Sequence, residues 1–213
     1  MHLNFSLFIL FFVFISFNSK AESVFEYVDT VKYPYHLWNE VVIAETNTAK
    51  DVDYMSDEEK NVIWLTNLAR FDGSLFAKTF LKEYLEKNNI EYTDNVKSLF
   101  SHLRIINNLT PLKPDHNIYL LAEEHAKKNG RKGKTGHDGF NTRAKNSRHS
   151  KFSENCEYGD FRAIDILITL LIDEGVPSLG HRKNILNQVM THTAVSIQPH
   201  TIFKYNCVIE YGG

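Results

Sequence analysis

The sequence is poor in cysteine and has almost no excess of charge of either sign. Its 213 residues include two cysteines, which excludes a small scaffold held together by several disulfides. Lys and Arg total 24 and Asp and Glu total 26, so the formal net charge is −2. This balance provides no electrostatic footprint for nucleic acid or for an anionic membrane. We therefore expect no nucleic-acid partner.

Long hydrophobic runs are also missing, apart from one at the N-terminus. The run Phe5–Phe17 is too short to span a bilayer as a helix. Ser19-Lys20-Ala21 follows it and offers small residues at the positions that a signal peptidase reads. We predict a signal peptide over residues 1–21, so that the mature chain begins near Glu22 and is secreted or periplasmic. An uncleaved membrane anchor is the alternative, because no Lys or Arg precedes the run.

The mature chain is predicted to contain an irregular N-terminal extension, residues 22–55, and one domain, residues 56–213. Export places the chain in an oxidising compartment, where a disulfide between Cys156 and Cys207 is expected. Two buried free thiols are the alternative. Contact with a membrane is expected only through the signal peptide, before its cleavage.

Helix signals dominate the first part of the domain. Ser56 and Glu59 have the spacing of a capping box, which predicts the start of a first long helix. Asp115 is placed to cap a further helix that runs to Lys128. Residues 163–172 are apolar almost all round, which predicts a buried helix.

Strand signals appear only at the C-terminal end. Residues 193–197 and 203–211 have the β-branched and aromatic composition of two strands joined around Pro199. Helices first and strands last, without βαβ alternation, predict an α+β fold rather than a parallel sheet.

The helix that begins at Asp115 has two further features near its end. The basic cluster Lys127–Lys134 is interspersed with glycines, which indicates a solvated helix end followed by a turn. His125 lies on the apolar face of the helix and is interpreted as a hydrogen-bonded core histidine rather than a ligand.

Two Gly-His pairs, Gly136-His137 and Gly180-His181, lie downstream, and Glu154 lies between them in the sequence. Imidazole and carboxylate groups bind divalent cations or transfer protons near neutral pH. Spacing alone leaves open two separate structural histidines, since such sites depend on closeness in space. Arg182 follows the second pair and is interpreted as a brace for its loop, with pairing to a carboxylate near the cleft as the alternative.

Several short motifs follow one another along the domain. In chain order they are Asn67-Leu68-Ala69-Arg70, Pro111-Leu112, Leu121–Ala126, Gly136-His137, Glu154-Asn155, Gly180–Leu186 and Val208–Gly212. This order resembles the CAP superfamily (cysteine-rich secretory proteins, antigen 5 and pathogenesis-related 1) in its bacterial secreted branch. The resemblance covers Ser56 to Gly213. It implies an α-β-α sandwich with a central antiparallel sheet flanked by helices, and a cleft above the sheet.

In that family, two histidines and up to two acidic residues line the cleft. His137, Glu154 and His181 match the first histidine, the acid and the second histidine. The fourth position falls on Asp173 or Glu174, which lie a turn later than the family pattern expects. Two imidazoles and one carboxylate supply three ligands and leave a water in the fourth position, as in open zinc sites. The resemblance therefore implies a site for zinc or another divalent cation.

Three functions are compatible with this cleft. The preferred one is a secreted binding module that holds a metal ion and an extracellular or envelope ligand, whether protein, lipid or small molecule. A peptidase-like, metal-assisted hydrolase with Glu154 as general base is an alternative, and so is a purely structural or interaction domain. Ser153 and Ser178 flank the cleft but lie in no activated motif, and we interpret them as turn or cap residues.

Overall fold

A four-stranded sheet lies between helices on both of its faces, which confirms the predicted α+β class. The computed structural model describes residues 33–213, so the predicted signal peptide and residues 22–32 of the extension lie outside the described residues. Within the described range, no helix combines the length and the apolar composition that crossing a membrane requires.

The elements of the described residues follow in chain order. The α-helices are α1 (Glu40–Thr46), α2 (Asp57–Phe71), α3 (Gly73–Phe76), α4 (Lys82–Lys87), α5 (Asp94–Leu103), α6 (His116–Lys132), α7 (Phe140–Asn146), α8 (Ala163–Ile172) and α9 (Gly180–Ile185). A 3₁₀ turn, Pro34–Leu37, precedes α1, and a π-helical turn, Ala77–Leu81, joins α3 to α4. The strands are β1 (Lys113–Pro114), β2 (Phe152–Tyr158), β3 (His192–His200) and β4 (Lys204–Gly212).

The two predicted helix caps are confirmed. At the start of α2, the Ser56 hydroxyl accepts from the Glu59 amide at 3.4 Å, and the Glu59 carboxylate accepts from the Ser56 amide at 2.7 Å. At the start of α6, Asp115 accepts from two backbone amides of the first turn. This helix continues past the predicted end to Lys132, and Gly133 terminates it in the left-handed conformation.

The sheet has the order β1-β3-β4-β2 and is antiparallel except for the short pairing of β1 with β3. The helix α6 packs on β3 and β4, while α2 and α8 pack together and contact the sheet as well. The two predicted C-terminal strands are confirmed as β3 and β4. No strand was predicted at β2, because its sequence Phe-Ser-Glu-Asn-Cys-Glu-Tyr lacks apolar alternation.

Two buried side chains of α2 connect this helix to segments that are distant in sequence. Asn67 donates to the carbonyls of Thr46 and Leu112 and accepts from the Leu112 amide. Arg70 is buried, and its guanidinium donates to the backbone carbonyls of Thr110, Ile185, Asn187 and Met190. Both residues therefore satisfy loop carbonyls that would otherwise be buried without a donor.

The described part of the N-terminal extension packs against the helices. Trp38 is buried, and its indole donates to the Thr79 hydroxyl at 3.3 Å. The indole of Trp64 in α2 donates to the Ile43 carbonyl at 3.2 Å. Residues Tyr33–Gly213 consequently form one compact unit.

The predicted disulfide between Cys156 and Cys207 is wrong, because both cysteines are free and buried. They lie on neighbouring antiparallel strands, where Cys156 pairs with Val208 and Cys207 pairs with Glu157. Successive side chains along a strand point to opposite faces of the sheet, so the two thiols lie on opposite sides of it. Cys156 packs near Ala122 of α6, whereas Cys207 belongs to the main core. A bridge would require a change of strand register.

We expect both thiols to react in the denatured, unreduced protein. Maleimide labelling followed by mass spectrometry should show two modified cysteines, because no bridge protects either thiol. A reduced sample serves as the control and should show the same number of labels. If labelling required prior reduction, the register of β2 and β4 described above would be incorrect.

Candidate functional site

The edge strand β2 carries the candidate site. Its side chains alternate between the two faces of the sheet, and each face has a different environment. Glu154 and Cys156 point to the α6 side of the sheet, and Asn155 and Glu157 point to the opposite side. The strand pairs with β4 along one edge. Residues of its second half line a cleft at the other edge.

Glu154 is a buried carboxylate with a hydrogen-bond partner on each oxygen. Its Oε1 lies 2.7 Å from Nδ1 of His137, and its Oε2 accepts from Nε of Arg143 at 2.8 Å. Burial by itself would raise the pKa of Glu154, but the hydrogen bond from His137 and the charge of Arg143 outweigh it and lower the pKa. Glu154 is therefore held in the ionised form.

Glu210 faces Glu154 directly across the pairing of β4 with β2. It is fully buried and accepts from Nε of Arg143 at 2.9 Å. Burial, reinforced by the negative charge of Glu154, raises the pKa of Glu210 to about 9. The two carboxyl groups thus carry one negative charge at neutral pH, which Arg143 balances.

His125 and Cys156 lie beside Glu154 on the same side of the sheet. Nε2 of His125 is 3.9 Å from Oε1 of Glu154, and Sγ of Cys156 is 3.7 Å from the same oxygen. Sγ of Cys156 also lies 3.7 Å from Nδ1 of His137. We call His125, His137, Glu154 and Cys156 the Cys156 cluster. His125, Glu154 and Cys156 are buried, while the His137 side chain is half-exposed.

Burial sets the protonation of two members of the Cys156 cluster. It lowers the pKa of His125, although the nearby Glu154 acts in the opposite direction, and the imidazole is therefore neutral at pH 7. His125 is buried as predicted, and its Nε2 lies 3.0 Å from the Gly136 carbonyl oxygen. Burial likewise raises the pKa of the Cys156 thiol well above its usual value.

The second predicted histidine, His181, pairs with a different carboxylate. Its Nδ1 lies 2.7 Å from Oδ1 of Asp173, and its backbone amide donates to Oδ2 of the same residue at 3.0 Å. Asp173 is buried at the end of α8. Glu174, the other acid that the sequence offered, is exposed and accepts from the Thr93 hydroxyl. The structure therefore pairs His137 with Glu154 and His181 with Asp173.

The α9 motif fixes these groups relative to β2. The Asn184 amide donates to the Asn155 side chain at 2.8 Å and to the Glu154 carbonyl at 3.2 Å, and the Asn155 amide donates to the His181 carbonyl. Arg182 is buried and donates to the Leu171 and Ile172 carbonyls at the end of α8. The predicted bracing role of Arg182 is confirmed.

A cleft of about 420 Å³ lies between the free edge of β2, the end of α8 and the start of α5. We call it the β2 cleft. Cys156, Asp173 and His181 are among its lining residues, so it connects the Cys156 cluster to the second histidine. Its remaining lining residues are mainly apolar or acidic, and none of those within residues 33–213 is Lys or Arg.

Glu157 is a second buried acid of the β2 cleft, in addition to Asp173. Its side chain is almost fully buried, and its Oε2 has no hydrogen-bond partner within residues 33–213. Burial raises its pKa to about 8, and the negative charges of Asp160 and Asp165 contribute in the same direction. The β2 cleft therefore contains one buried carboxyl oxygen, Oε2 of Glu157, that has no hydrogen-bond partner among the described residues.

Five residues of the site were not assigned to it from the sequence. The sequence analysis placed His125 in the core and Cys156 in a disulfide, and it gave no role to Arg143, Glu157 and Glu210. Glu210 had a detectable signal, because it is an acid inside the otherwise apolar end of the last strand. Arg143 had none, since its role depends on where α7 lies over β2 and β4.

Two solved structures are similar to parts of this chain. An outer surface protein from Borrelia burgdorferi has a TM-score of 0.42 and 22% sequence identity, with 58% of this chain and 95% of that chain covered. A cysteine-rich secretory protein from Staphylococcus aureus subsp. aureus Mu50 has a TM-score of 0.41 and 14% identity, with 56% of this chain and 38% of that chain covered. No curated protein sequence matches this chain.

The fold and the site define an α+β protein with a histidine- and acid-lined cleft at the edge of its sheet. The family model described as "CAP: Cysteine-rich secretory protein family" matches residues 97–211, which is more than half of the chain. The protein belongs to this family.

The raised pKa of Glu157 predicts a pH-dependent stability. The pKa of Glu157 rises from its ordinary value of 4.5 to about 8 in the fold, so the fold favours the protonated carboxyl group. The contribution of this group to the stability of the fold is complete below pH 4.5 and is lost as pH rises through 8. Glu157→Gln, measured by urea unfolding with a chelator present, should match the wild type near pH ~4.5. Near pH ~9 it should be more stable, by on the order of 2–4 kcal/mol.

The matched control for this measurement is Glu124→Gln, which changes an exposed glutamate of α6. Its stability relative to the wild type should not vary with pH. A Glu157→Gln variant that loses stability in parallel with the wild type as pH rises would contradict the burial of this carboxyl group.

Proposed function

We propose that the protein is an exported binding protein whose Cys156 cluster holds a divalent metal ion, with zinc as the preferred ion. Export is supported by the apolar run Phe5–Phe17 and the following Ser19-Lys20-Ala21, which direct the mature chain to the periplasm or the cell exterior. The observation that carries the metal site is that ligand atoms of His125, Glu154 and Cys156 all lie within 4.8 Å of one another.

The spacing of these atoms suits a tetrahedral ion. Zinc binds nitrogen and oxygen at about 2.0–2.2 Å and sulfur at about 2.3 Å, which separates its ligand atoms by about 3.3–3.8 Å. Oε1 of Glu154 lies 3.9 Å from Nε2 of His125 and 3.7 Å from Sγ of Cys156. These three residues would supply three of the four ligands of a tetrahedral zinc ion. The fourth position would be open to a water or another ligand.

The chemistry of the donors also fits zinc. Imidazole nitrogen, thiolate sulfur and carboxylate oxygen together favour a borderline ion such as zinc over calcium or magnesium, which prefer oxygen alone. His125 is neutral and Glu154 is ionised before any ion arrives, so only Cys156 must lose a proton. Arg143 orients the Glu154 carboxylate from the outer side, as residues behind metal ligands do.

This ligand set differs from the one that the family resemblance implied. His125 and Cys156 take the place of His181, whose imidazole is engaged with Asp173. The half-exposed His137 remains next to Glu154 at 2.7 Å, which is closer than two ligands of one zinc ion usually lie. We assign to His137 the role of orienting the Glu154 carboxylate from the solvent side of the site.

The same geometry favours binding over metal-assisted hydrolysis. A general base works best when its pKa lies near the operating pH. Glu154 has a lowered pKa and has hydrogen-bond partners on both oxygens, so it is a poor proton acceptor and a good metal ligand.

The ligand of the binding module is proposed to occupy the β2 cleft. Its volume lies in the range of small-molecule sites, and its apolar walls suit an apolar body. The unused Oε2 of Glu157 offers one buried hydrogen-bonding group. The acidic lining disfavours an anionic ligand, which leaves neutral or cationic molecules as the preferred class.

Calorimetric titration of zinc into the metal-free protein tests the metal site. We expect one bound ion, and we expect Cys156→Ala and His125→Gln each to weaken binding at least about tenfold, because each removes a direct ligand. The matched controls are Cys207→Ala, on the other face of the sheet, and His181→Gln. Both should bind zinc like the wild type, and circular dichroism confirms that each variant is folded.

Two results would contradict this assignment. An absence of zinc binding by the wild type would remove the metal site altogether. A loss caused by His181→Gln but not by Cys156→Ala would instead favour the ligand set His137, Glu154 and His181.

A further inference from the structure

The turn between β3 and β4 presents two neighbouring apolar side chains to solvent. Ile202 is 68% exposed and Phe203 is 43% exposed. The Phe203 ring packs on one side against Tyr158 and His200, with ring centroids 5.7 Å and 5.2 Å away. These ring contacts hold the turn on one side, while the exposed parts of Ile202 and Phe203 face solvent.

Two glycines of α6 and its C-terminal end hold this turn close to the helix. The Thr201 amide donates to the Gly130 carbonyl at 3.0 Å, and a Cβ at Gly130 would lie 2.0 Å from the Pro199 carbonyl oxygen. Gly133 has φ +61, and a Cβ there would meet Ile202 at 3.0 Å. The turn and the end of α6 consequently form one continuous surface.

Exposed basic residues lie on the segments next to the apolar turn. The exposed basic residues of α6, the loop after it and the start of β4 are Lys127, Lys128, Arg131, Lys132, Lys134 and Lys204. Within the described range, ion pairs join Lys127 to Glu123 at 2.7 Å and Lys134 to Asp138 at 3.9 Å. Among the described residues, Lys128, Arg131, Lys132 and Lys204 form no ion pair, and the whole chain is slightly negative. We call these residues, together with Ile202 and Phe203, the hairpin-tip surface.

We propose that the hairpin-tip surface docks on an anionic lipid bilayer, with Ile202 and Phe203 entering the headgroup region and the basic side chains facing lipid phosphates. An apolar projection next to a group of exposed Lys and Arg residues combines the two forces that bind proteins to such surfaces. A soluble polyanion would use the charges but would gain little from two exposed apolar side chains. The negative net charge elsewhere on the protein does not prevent docking, because salt screens charges beyond about 10 Å.

Docking by this surface has a consequence for the β2 cleft. Phe203 contacts Tyr158, and Tyr158 is one of the residues that line the cleft. The docked protein would therefore hold the cleft near the membrane surface. The proposal does not depend on the metal site, since no member of the Cys156 cluster belongs to the hairpin-tip surface.

Co-sedimentation with lipid vesicles tests the proposal. The chain from Glu22 onward is used, because it contains the whole compact unit Tyr33–Gly213 and lacks the apolar run Phe5–Phe17. It should bind vesicles of phosphatidylcholine mixed with phosphatidylglycerol, lose binding as salt is raised, and not bind phosphatidylcholine alone. Folding of every variant is checked by its thermal unfolding.

Two variants with matched controls separate the two forces. The triple variant Lys128→Gln, Arg131→Gln, Lys132→Gln should bind about a hundredfold more weakly, at about fivefold for each basic residue. Ile202→Ser with Phe203→Ser should weaken binding about tenfold or more. The controls are Lys50→Gln, Lys78→Gln, Lys145→Gln as a triple variant and Ile105→Ser, which alter exposed residues elsewhere.

The controls should bind the mixed vesicles like the wild type. The proposal is overturned if the wild type does not bind these vesicles, or if the control variants lose as much affinity as the variants of the hairpin-tip surface. It is also overturned if binding depends on the basic residues but is unchanged by Ile202→Ser with Phe203→Ser, since that result would show attraction by charge without entry of the two apolar side chains into the bilayer.

Discussion

The placement of two glutamates opposite each other in a buried sheet is the constraint on which this site depends. Glu154 and Glu210 face each other in a buried environment that disfavours two negative charges, and Arg143 balances one of them. The proton on Glu210 removes the second charge. For Arg143 to reach both strands, α7 must lie across β2 and β4. That position of α7 also fixes the loop before it, and hence the half-exposed His137.

Two histidine–carboxylate pairs share one support. His137 with Glu154 lies on one side of β2, and His181 with Asp173 lies beyond its edge. Asn155, which is adjacent to Glu154, bonds to the backbone of His181, so the position of either pair depends on the other. The motifs that reveal the family are thus largely the residues that position the cleft, while the side chains that give this cleft its own chemistry, such as Cys156, lie between them.

The sequence was informative where local interactions decide the structure. The capping box at Ser56 and the cap at Asp115 depend on residues three positions apart, and both were predicted correctly. The family motifs also identified His137 and Glu154, which the structure places in contact. The faces of the sheet on which Cys156 and Cys207 lie could not be obtained in this way, because they depend on strand register. A shift of one residue in the strand register would move Cys156 to the other face of the sheet, and nothing in the sequence near it specifies that pairing.

The separation of the two cysteines has a consequence for how the protein is made. Many exported domains reach their native state only after an oxidant has joined the correct thiols, and wrong pairings delay them. In this fold neither thiol has a partner within its own face of the sheet, and both are buried. Folding of the described unit therefore needs no thiol oxidase or disulfide isomerase. Once the chain is folded, both sulfur atoms are buried, which hinders disulfide exchange with another protein.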